Sequence, residues 1–221
     1  MRVVITGTSS GIGLATAKKF LDEGHLVLGI DVKPADPSLD RKYGDRYMHV
    51  VADVSDAKSL PVCMGCEILV NNAGVQDEAS NIPVNLYGVV NCCDKYAIQP
   101  DIKSVVNVAS VSAHNGAEFP LYTASKGGVL AYTKWLAQEL AEYGATVNSI
   151  SPGGVVTPMT EDIWYNFTKR NDVLDETLLH KWATAEEIAE WIYFISVVNK
   201  SMTAQDIIID NGETAKFNFI Q

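Results

Sequence analysis

Val3-Val-Ile-Thr-Gly-Thr-Ser-Ser-Gly-Ile-Gly13 decides how the rest of the chain is read. A short apolar run stops at Gly7, as a buried strand does. Gly11-Ile-Gly13 then opens a helical pattern, with Ile12, Ala15, Phe20 and Leu21 at helical spacings and Gly24 as its C-cap. Leu26-Val-Leu-Gly-Ile30 is the next strand, closed by Asp31. This is a strand-turn-helix-strand unit of about thirty residues. Glycines let the backbone approach a pyrophosphate, and a helix N-terminus offers it free N–H groups and positive dipole. Gly7, Ser9, Ser10, Gly11, Ile12 and Gly13 are therefore candidate cofactor contacts, although a lone glycine pattern is often a turn that binds nothing. Asp31 strengthens the case, because a carboxylate there accepts hydrogen bonds from a ribose diol and repels a 2′-phosphate. Val32 follows it and Ser10 precedes Gly11, with no arginine at either place, so NAD is expected over NADP. Lys33 is the one basic neighbour that blurs the choice. The loop lacks a Gly-Lys-Ser/Thr ending, which removes a nucleotide-triphosphatase reading.

Outward from this unit the pattern repeats. Strands are expected at Tyr47 to Ala52, Glu67 to Asn71, Ser104 to Ala109, Thr146 to Ile150 and Ile207 to Ile209. Between Asp31 and the third strand lies a polar stretch with Pro34 and Pro37, to which the pattern assigns no element. Helices are expected from Asn85 to Ala97, from Thr123 to Tyr143, and after the capping box Thr184-Ala-Glu-Glu187. Short Val/Ile-rich strands alternating with helices mean a parallel sheet covered on both faces, an α/β architecture in one domain spanning residues 1–221.

A second stretch carries chemistry. Tyr122 and Lys126 are four apart, so on a helix they stand on one face. A phenol loses its proton near pH 10; an ammonium beside it favours the phenolate and brings that step toward neutrality. Ser110 ends the apolar run Val105-Val-Asn-Val-Ala-Ser110, so its hydroxyl emerges at the C-terminal end of a buried strand. Hydroxyl and tuned phenol together would reach one substrate oxygen. Taken alone, Tyr-x-x-x-Lys is common, and Tyr122 then reads first as an ordinary amphipathic surface tyrosine.

Composition narrows the partners. The 221 residues hold 17 basic and 27 acidic side chains, a net charge of −10, which argues against nonspecific attraction to nucleic acid or anionic membranes. No apolar run approaches the roughly 18 residues that span a bilayer. Met1-Arg-Val-Val-Ile-Thr6 runs straight into a strand pattern, which leaves no room for a cleavable signal and makes the cytoplasm the expected compartment. Cys63-Met-Gly-Cys66 has the spacing of half a zinc site, but Cys92 and Cys93, being adjacent, point to different sides of their helix. Reduced cysteines and no metal are the expectation.

Thr6-Gly-x-x-x-Gly-Ile-Gly13, Asp53-Val54, Asn71-Asn-Ala-Gly74, Asn85, Ser110, Tyr122-x-x-x-Lys126 and Pro152-Gly-Gly-Val-Val-Thr157 together resemble the short-chain dehydrogenase/reductase family. The likeness covers nearly the whole chain. It implies a Rossmann-type, doubly wound three-layer sandwich with a mostly parallel seven-stranded sheet. It implies Asp53 and Val54 beside the adenine ring, and Asn72, Ala73 and Gly74 along the adenosine ribose. Pro152, Val155 and Thr157 would hold the nicotinamide. Tyr122 would be the general acid/base, Lys126 would bond the nicotinamide ribose and acidify the phenol, and Ser110 would orient a carbonyl or alcohol substrate. Asn85 would hold a water that links Lys126 to solvent. The resemblance also implies a homo-oligomer, dimer or tetramer.

The chain departs from the family pattern between Ser55 and Ile68, where Pro61 and Gly65 disfavour a full helix. The connection from Gly74 to Asn85 is also short. Thr203-Ala-Gln205 and Asp210-Asn-Gly212 replace Thr-Gly-Gln and Asp-Gly-Gly. Pro158 to His180 would form a small substrate lid, in which Met159, Ile163, Trp164, Tyr165 and Phe167 either line an apolar site or pack the lid onto the body. His114, Asn115 and Glu118 are placed to touch a polar substrate. Two functions stay open: an NAD-dependent alcohol dehydrogenase or ketoreductase, and a catalytically silent dinucleotide-binding regulatory protein.

Overall fold

The computed structural model describes residues 1–117 and 119–216; Glu118 and residues 217–221 lie outside the described residues. In chain order the elements are β1 (Arg2–Thr6), α1 (Gly11–Asp22), β2 (Leu26–Asp31), α2 (Pro37–Tyr43), β3 (Tyr47–Val51), β4 (Ile68–Asn71), α3 (Gly88–Tyr96) and β5 (Ser104–Val108). They continue with α4 (Ser112–Asn115), α5 (Pro120–Glu139), β6 (Thr146–Pro152), β7 (Val155–Val156), α6 (Glu161–Trp164) and α7 (Phe167–Asp175). The last three are β8 (Ala183–Thr184), α8 (Ala185–Tyr193) and β9 (Asp206–Ile209).

Seven strands form one sheet in the order β3-β2-β1-β4-β5-β6-β9. Every pairing in it is parallel. The expected fold is borne out. β4 and β5 are buried along their whole length, which is why they read as unbroken Val/Ile runs rather than alternating ones. One core joins Leu69, Val105 and Val147 of the sheet to Val89, Cys92 and Leu136 of α3 and α5. The other joins Ile5, Val70 and Ile150 to Phe20 and Leu21 of α1 and Ile188 and Ile192 of α8. Each fully buried aliphatic side chain contributes about 1.5–3 kcal/mol. β1 lies between β2 and β4, so successive connections leave it in opposite directions. That reversal opens a crevice at the carboxyl ends of β1 and β4, the usual ligand position in such sheets.

The structure differs from the sequence expectation in several places. The stretch with Pro34 and Pro37 holds a helix, α2: Asp36 caps it by accepting from Ser38 N at 2.8 Å, Pro37 starts it, and Leu39 and Tyr43 are buried beneath it. The helix expected to begin at Asn85 is preceded by a π turn, Pro83–Tyr87, that contains Asn85. α5 begins at Pro120 rather than Thr123, because proline suits a first helical position. Beyond the main sheet, Val155 and Val156 pair with Ala183 and Thr184 in a small parallel ladder. Cys92 and Cys93 are both wholly buried, in the one core that α3 shares with the sheet. No helix forms between β3 and β4, as Pro61 and Gly65 suggested. Instead Leu60 tucks into the core and Tyr96 Oη donates to Pro61 O at 2.8 Å, while Val62 and Met64 stay exposed.

Candidate functional site

The turn after β1 is built by close packing. Gly7 has φ 76°, in the left-handed region, and a Cβ on Gly13 would lie 2.0 Å from Gly7 O and 2.5 Å from Asn72 Nδ2. Ser10 supplies no side-chain cap to α1, and the first turn of the helix carries no acidic residue. The start of α1 thus keeps an uncompensated positive dipole above a turn of small residues. Thr6 ties the next loop to this turn: its Oγ1 accepts from Asn72 N at 3.0 Å and Ala73 N at 2.9 Å, while Asn72 Nδ2 donates to Thr6 O at 2.9 Å. Asp31 is joined to the turn as well, its Oδ2 accepting from Ser9 N and its Oδ1 from Lys33 N, both at 2.9 Å. Thr157 packs its methyl within 3.3 Å of where a Gly11 Cβ would sit. Ser9, Ser10, Gly11, Asp31, Asn72, Ala73 and Thr157 therefore gather around one crevice, whereas the Ile12 side chain packs against Ala15, Ala185 and Ala189. The donors and the dipole of the crevice fit a dinucleotide pyrophosphate.

Asp53 and Val54 follow β3 further along the same edge. Asp53 Oδ1 accepts from Ser55 N and Oγ, each at 2.8 Å, and buried Val54 gives its carbonyl to Asn91 Nδ2 at 2.9 Å. Pro152 O accepts from Val111 N at 3.0 Å, which fastens the segment after Ser110 to the end of β6. Val155 is buried in the β7–β8 ladder.

The catalytic candidates converge on the end of β5. Tyr122 and Lys126 are buried on one face of α5, with Lys126 Nζ 5.7 Å from the centre of the Tyr122 ring. Lys126 Nζ also donates to Val108 O at 2.9 Å, two residues before Ser110, and so docks the helix where Ser110 emerges. Ser110 Oγ accepts from Ser112 N at 3.2 Å and lies 3.0 Å from Ser112 Oγ. Asn85 clamps the loop after Gly74: its Oδ1 accepts from Val75 N at 2.8 Å and its Nδ2 donates to Val75 O at 2.9 Å and Ser125 Oγ at 3.2 Å. Gly74 lies between that amide and the lysine, since a Cβ there would be 3.3 Å from Asn85 Oδ1 and 3.5 Å from Lys126 Nζ. Asn71 spans the strands instead, Nδ2 donating to Asn107 Oδ1 at 2.8 Å.

Some expectations resolve differently. His114 Nε2 lies 2.8 Å from Asp206 Oδ2 and 3.2 Å from Ser151 Oγ, which braces α4 against β6 and β9. Asn115 Oδ1 accepts from Ala117 N at 2.9 Å. The aromatics of 158–180 divide: Trp164 stacks on Trp182 at 5.9 Å and carries Arg170 over its face, whereas Met159, Tyr165 and Phe167 are exposed. Thr6 and Ser112 were not singled out from sequence, though one begins the glycine motif and the other sits two residues past Ser110. Burial pushes the Cys66 and Cys93 thiols up to about 12, which suits inert core residues rather than reactive ones. Among the described residues no group of three His, Cys, Asp or Glu is placed to hold a metal, and no helix is long and apolar enough to cross a membrane.

Known proteins resemble the chain along nearly its whole length. A family model described as enoyl-(acyl carrier protein) reductase matches residues 7–214. The 3-oxoacyl-[acyl-carrier-protein] reductase FabG of Thermotoga maritima is 34% identical across 95% of this chain and 96% of its own. That alignment runs to 237 positions against a chain of 221 residues, so the relative carries residues this chain lacks. A mutant 4-hydroxyisoleucine dehydrogenase complexed with NADH and succinate superposes with a TM-score of 0.88 at 28% identity, over 99% of this chain and 100% of the other. A putative 2-deoxy-D-gluconate 3-dehydrogenase from Agrobacterium tumefaciens with bound NADP gives 0.89 at 28% identity, over 97% and 96%. With its parallel sheet, its glycine turn and its tyrosine-lysine pair in place, the chain belongs to the short-chain dehydrogenase/reductase family of oxidoreductases.

Proposed function

We propose that the protein interconverts a secondary alcohol and a ketone with NAD. The observation that carries this is the convergence of Tyr122, Lys126 and Ser110 at the end of β5, through the Lys126–Val108 hydrogen bond. Bound NAD would supply hydride acceptance, and NADH its return. Gly7, Gly11, Gly13 and the start of α1 bind the pyrophosphate, and Asp31 the adenosine ribose. Asp53 and Val54 flank the adenine, and Asn72, Ala73 and Gly74 line the ribose. Pro152, Val155 and Thr157 hold the nicotinamide end.

Negative charge develops on the substrate oxygen, and the Ser110 and Tyr122 hydroxyls donate to it. Tyr122 gives or takes the proton. The Lys126 ammonium favours its phenolate and bonds the nicotinamide ribose. Asn85 fixes the loop around Gly74 so that a water can relay protons from Lys126 outward. Residues 158–180 close over the substrate, exposed Met159, Tyr165 and Phe167 supporting an apolar lining. Exposed Trp191 and Phe194 on the α8 side support a homo-oligomer.

Tyr122→Phe tests the reading. NADH binding should persist while turnover across a carbonyl panel falls by about 10²–10⁴. Near wild-type rates would sink the acid/base role. The short connection between β3 and β4 favours the other reading, a dinucleotide-responsive binding protein, which requires NADH affinity with no Tyr122-dependent turnover of any substrate.

A further inference from the structure

We infer that His49 is a positioning residue that sets the preference for NAD over NADP, acting through the Lys33 carbonyl on the Asp31 carboxylate; this rests on the NAD reading above. Gly29 of β2 and His49 of β3 are partners in register, and Tyr47 lies on the same face two residues before His49. A Cβ on Gly29 would lie 2.5 Å from Thr8 Oγ1 and 2.6 Å from Tyr47 Oη, so only glycine admits both hydroxyls. Tyr47 Oη is 3.3 Å from Thr8 Oγ1 and 3.1 Å from His49 Nδ1. Thr8 and Tyr47 are buried, so their hydroxyls need partners inside the protein.

The other ring nitrogen, His49 Nε2, lies 2.9 Å from Lys33 O. A carbonyl only accepts, so Nε2 carries the proton, and in the neutral ring Nδ1 is the acceptor for a Tyr47 or Thr8 hydroxyl. Ser9 Oγ donates to the same carbonyl at 3.1 Å. Lys33 N and Ser9 N in turn hold the two oxygens of Asp31 at 2.9 Å each. The circuit closes on itself, from the phosphate turn through Asp31 and Lys33 to β3 and back to Thr8. Its effect is to hold a carboxylate still where a ribose diol binds and a 2′-phosphate is repelled. If His49 lets go, the 31–33 turn loosens, Asp31 leaves that spot and the exposed Lys33 ammonium becomes available to a phosphate.

The test compares His49→Leu with His49→Gln, measuring Kd for NADH and for NADPH by fluorescence titration, with melting temperatures alongside. His49→Leu should lower the NADH-over-NADPH preference by about five- to tenfold, mainly by weakening NADH. His49→Gln should hold the preference within about twofold, because its amide donates to Lys33 O and accepts from Tyr47. Tyr47→Phe, which keeps the ring packing, should move the ratio in the same direction and carries the test if His49→Leu does not fold. An unchanged ratio in His49→Leu, or equal losses for both nucleotides, overturns the inference while the NAD reading stands. A wild-type protein without preference for NADH overturns both.

Discussion

Alanine at position 13 separates two opposing effects. In an ordinary helix, Gly→Ala gains about 1 kcal/mol of propensity. At Gly13 the new methyl would lie 2.0 Å from Gly7 O, and 2.5 Å from Asn72 Nδ2. Comfortable contact needs about 3.5 Å, so the shortfall exceeds an ångström. One of the obstacles is backbone, which no rotamer change relieves. A clash of that kind costs about 3 kcal/mol, the upper end for overpacking. The net is about 2 kcal/mol of destabilisation, a fall of roughly 4–8 °C in Tm for a chain of this size. Gly127 is the control: it lies inside α5 and a Cβ there meets nothing within 4 Å. Gly127→Ala should therefore raise Tm by about 2 °C. Circular dichroism melts measure both, and fluorescence titration should show NADH affinity of Gly13→Ala reduced at least about tenfold. If Gly13→Ala melts at or above the wild-type temperature, or both variants shift in one direction, the packing argument for the turn is wrong.

Asn71→Ala should lower stability by about 2–3 kcal/mol, since it leaves buried Asn107 Oδ1 without its 2.8 Å donor; a urea midpoint equal to wild type would contradict this. His25 is packed against Phe20 and Tyr193 at 5.6 and 5.9 Å. Burial first, and the nearby N-terminal ammonium second, hold its pKa below the usual value. The unfolded chain then takes up the proton more readily, so stability is full above about pH 6.5 and falls as pH drops through that value. His25→Phe should flatten the slope, and an NMR titration midpoint at or above the usual value would refute the assignment.

Which parts of the molecule could be read in advance follows from how local their signals are. Val105 to Val108 announced a buried strand, because both faces of β5 demand apolar side chains. The glycine turn, Asp31 and the Tyr122–Lys126 pair were legible because their chemistry depends on spacing along one short segment. α2 was hidden by its two prolines; Leu39 and Tyr43, four apart and both buried, were the available clue. The β7–β8 ladder is two residues long, too short for any periodicity. The His49 circuit was out of reach because it exists only once β2 and β3 pair in register. The same holds for His114, whose partners Ser151 and Asp206 are set beside it by β6 and β9.

The π turn at Pro83–Tyr87 has a consequence for chain length at the entrance to α3. Such a turn accommodates one residue more than regular winding allows, and Asn85 is among those it displaces toward Val75. Deleting a single residue there would let the segment relax to 3.6 residues per turn. The turns on either side would keep their phase, because the extra residue is what the bulge absorbs, and the Asn85 clamp on Val75 would be lost. A one-residue deletion at this point should therefore leave α3 folded while freeing the loop after Gly74, whereas a deletion within the regular winding of α3 would turn what precedes it by about 100°.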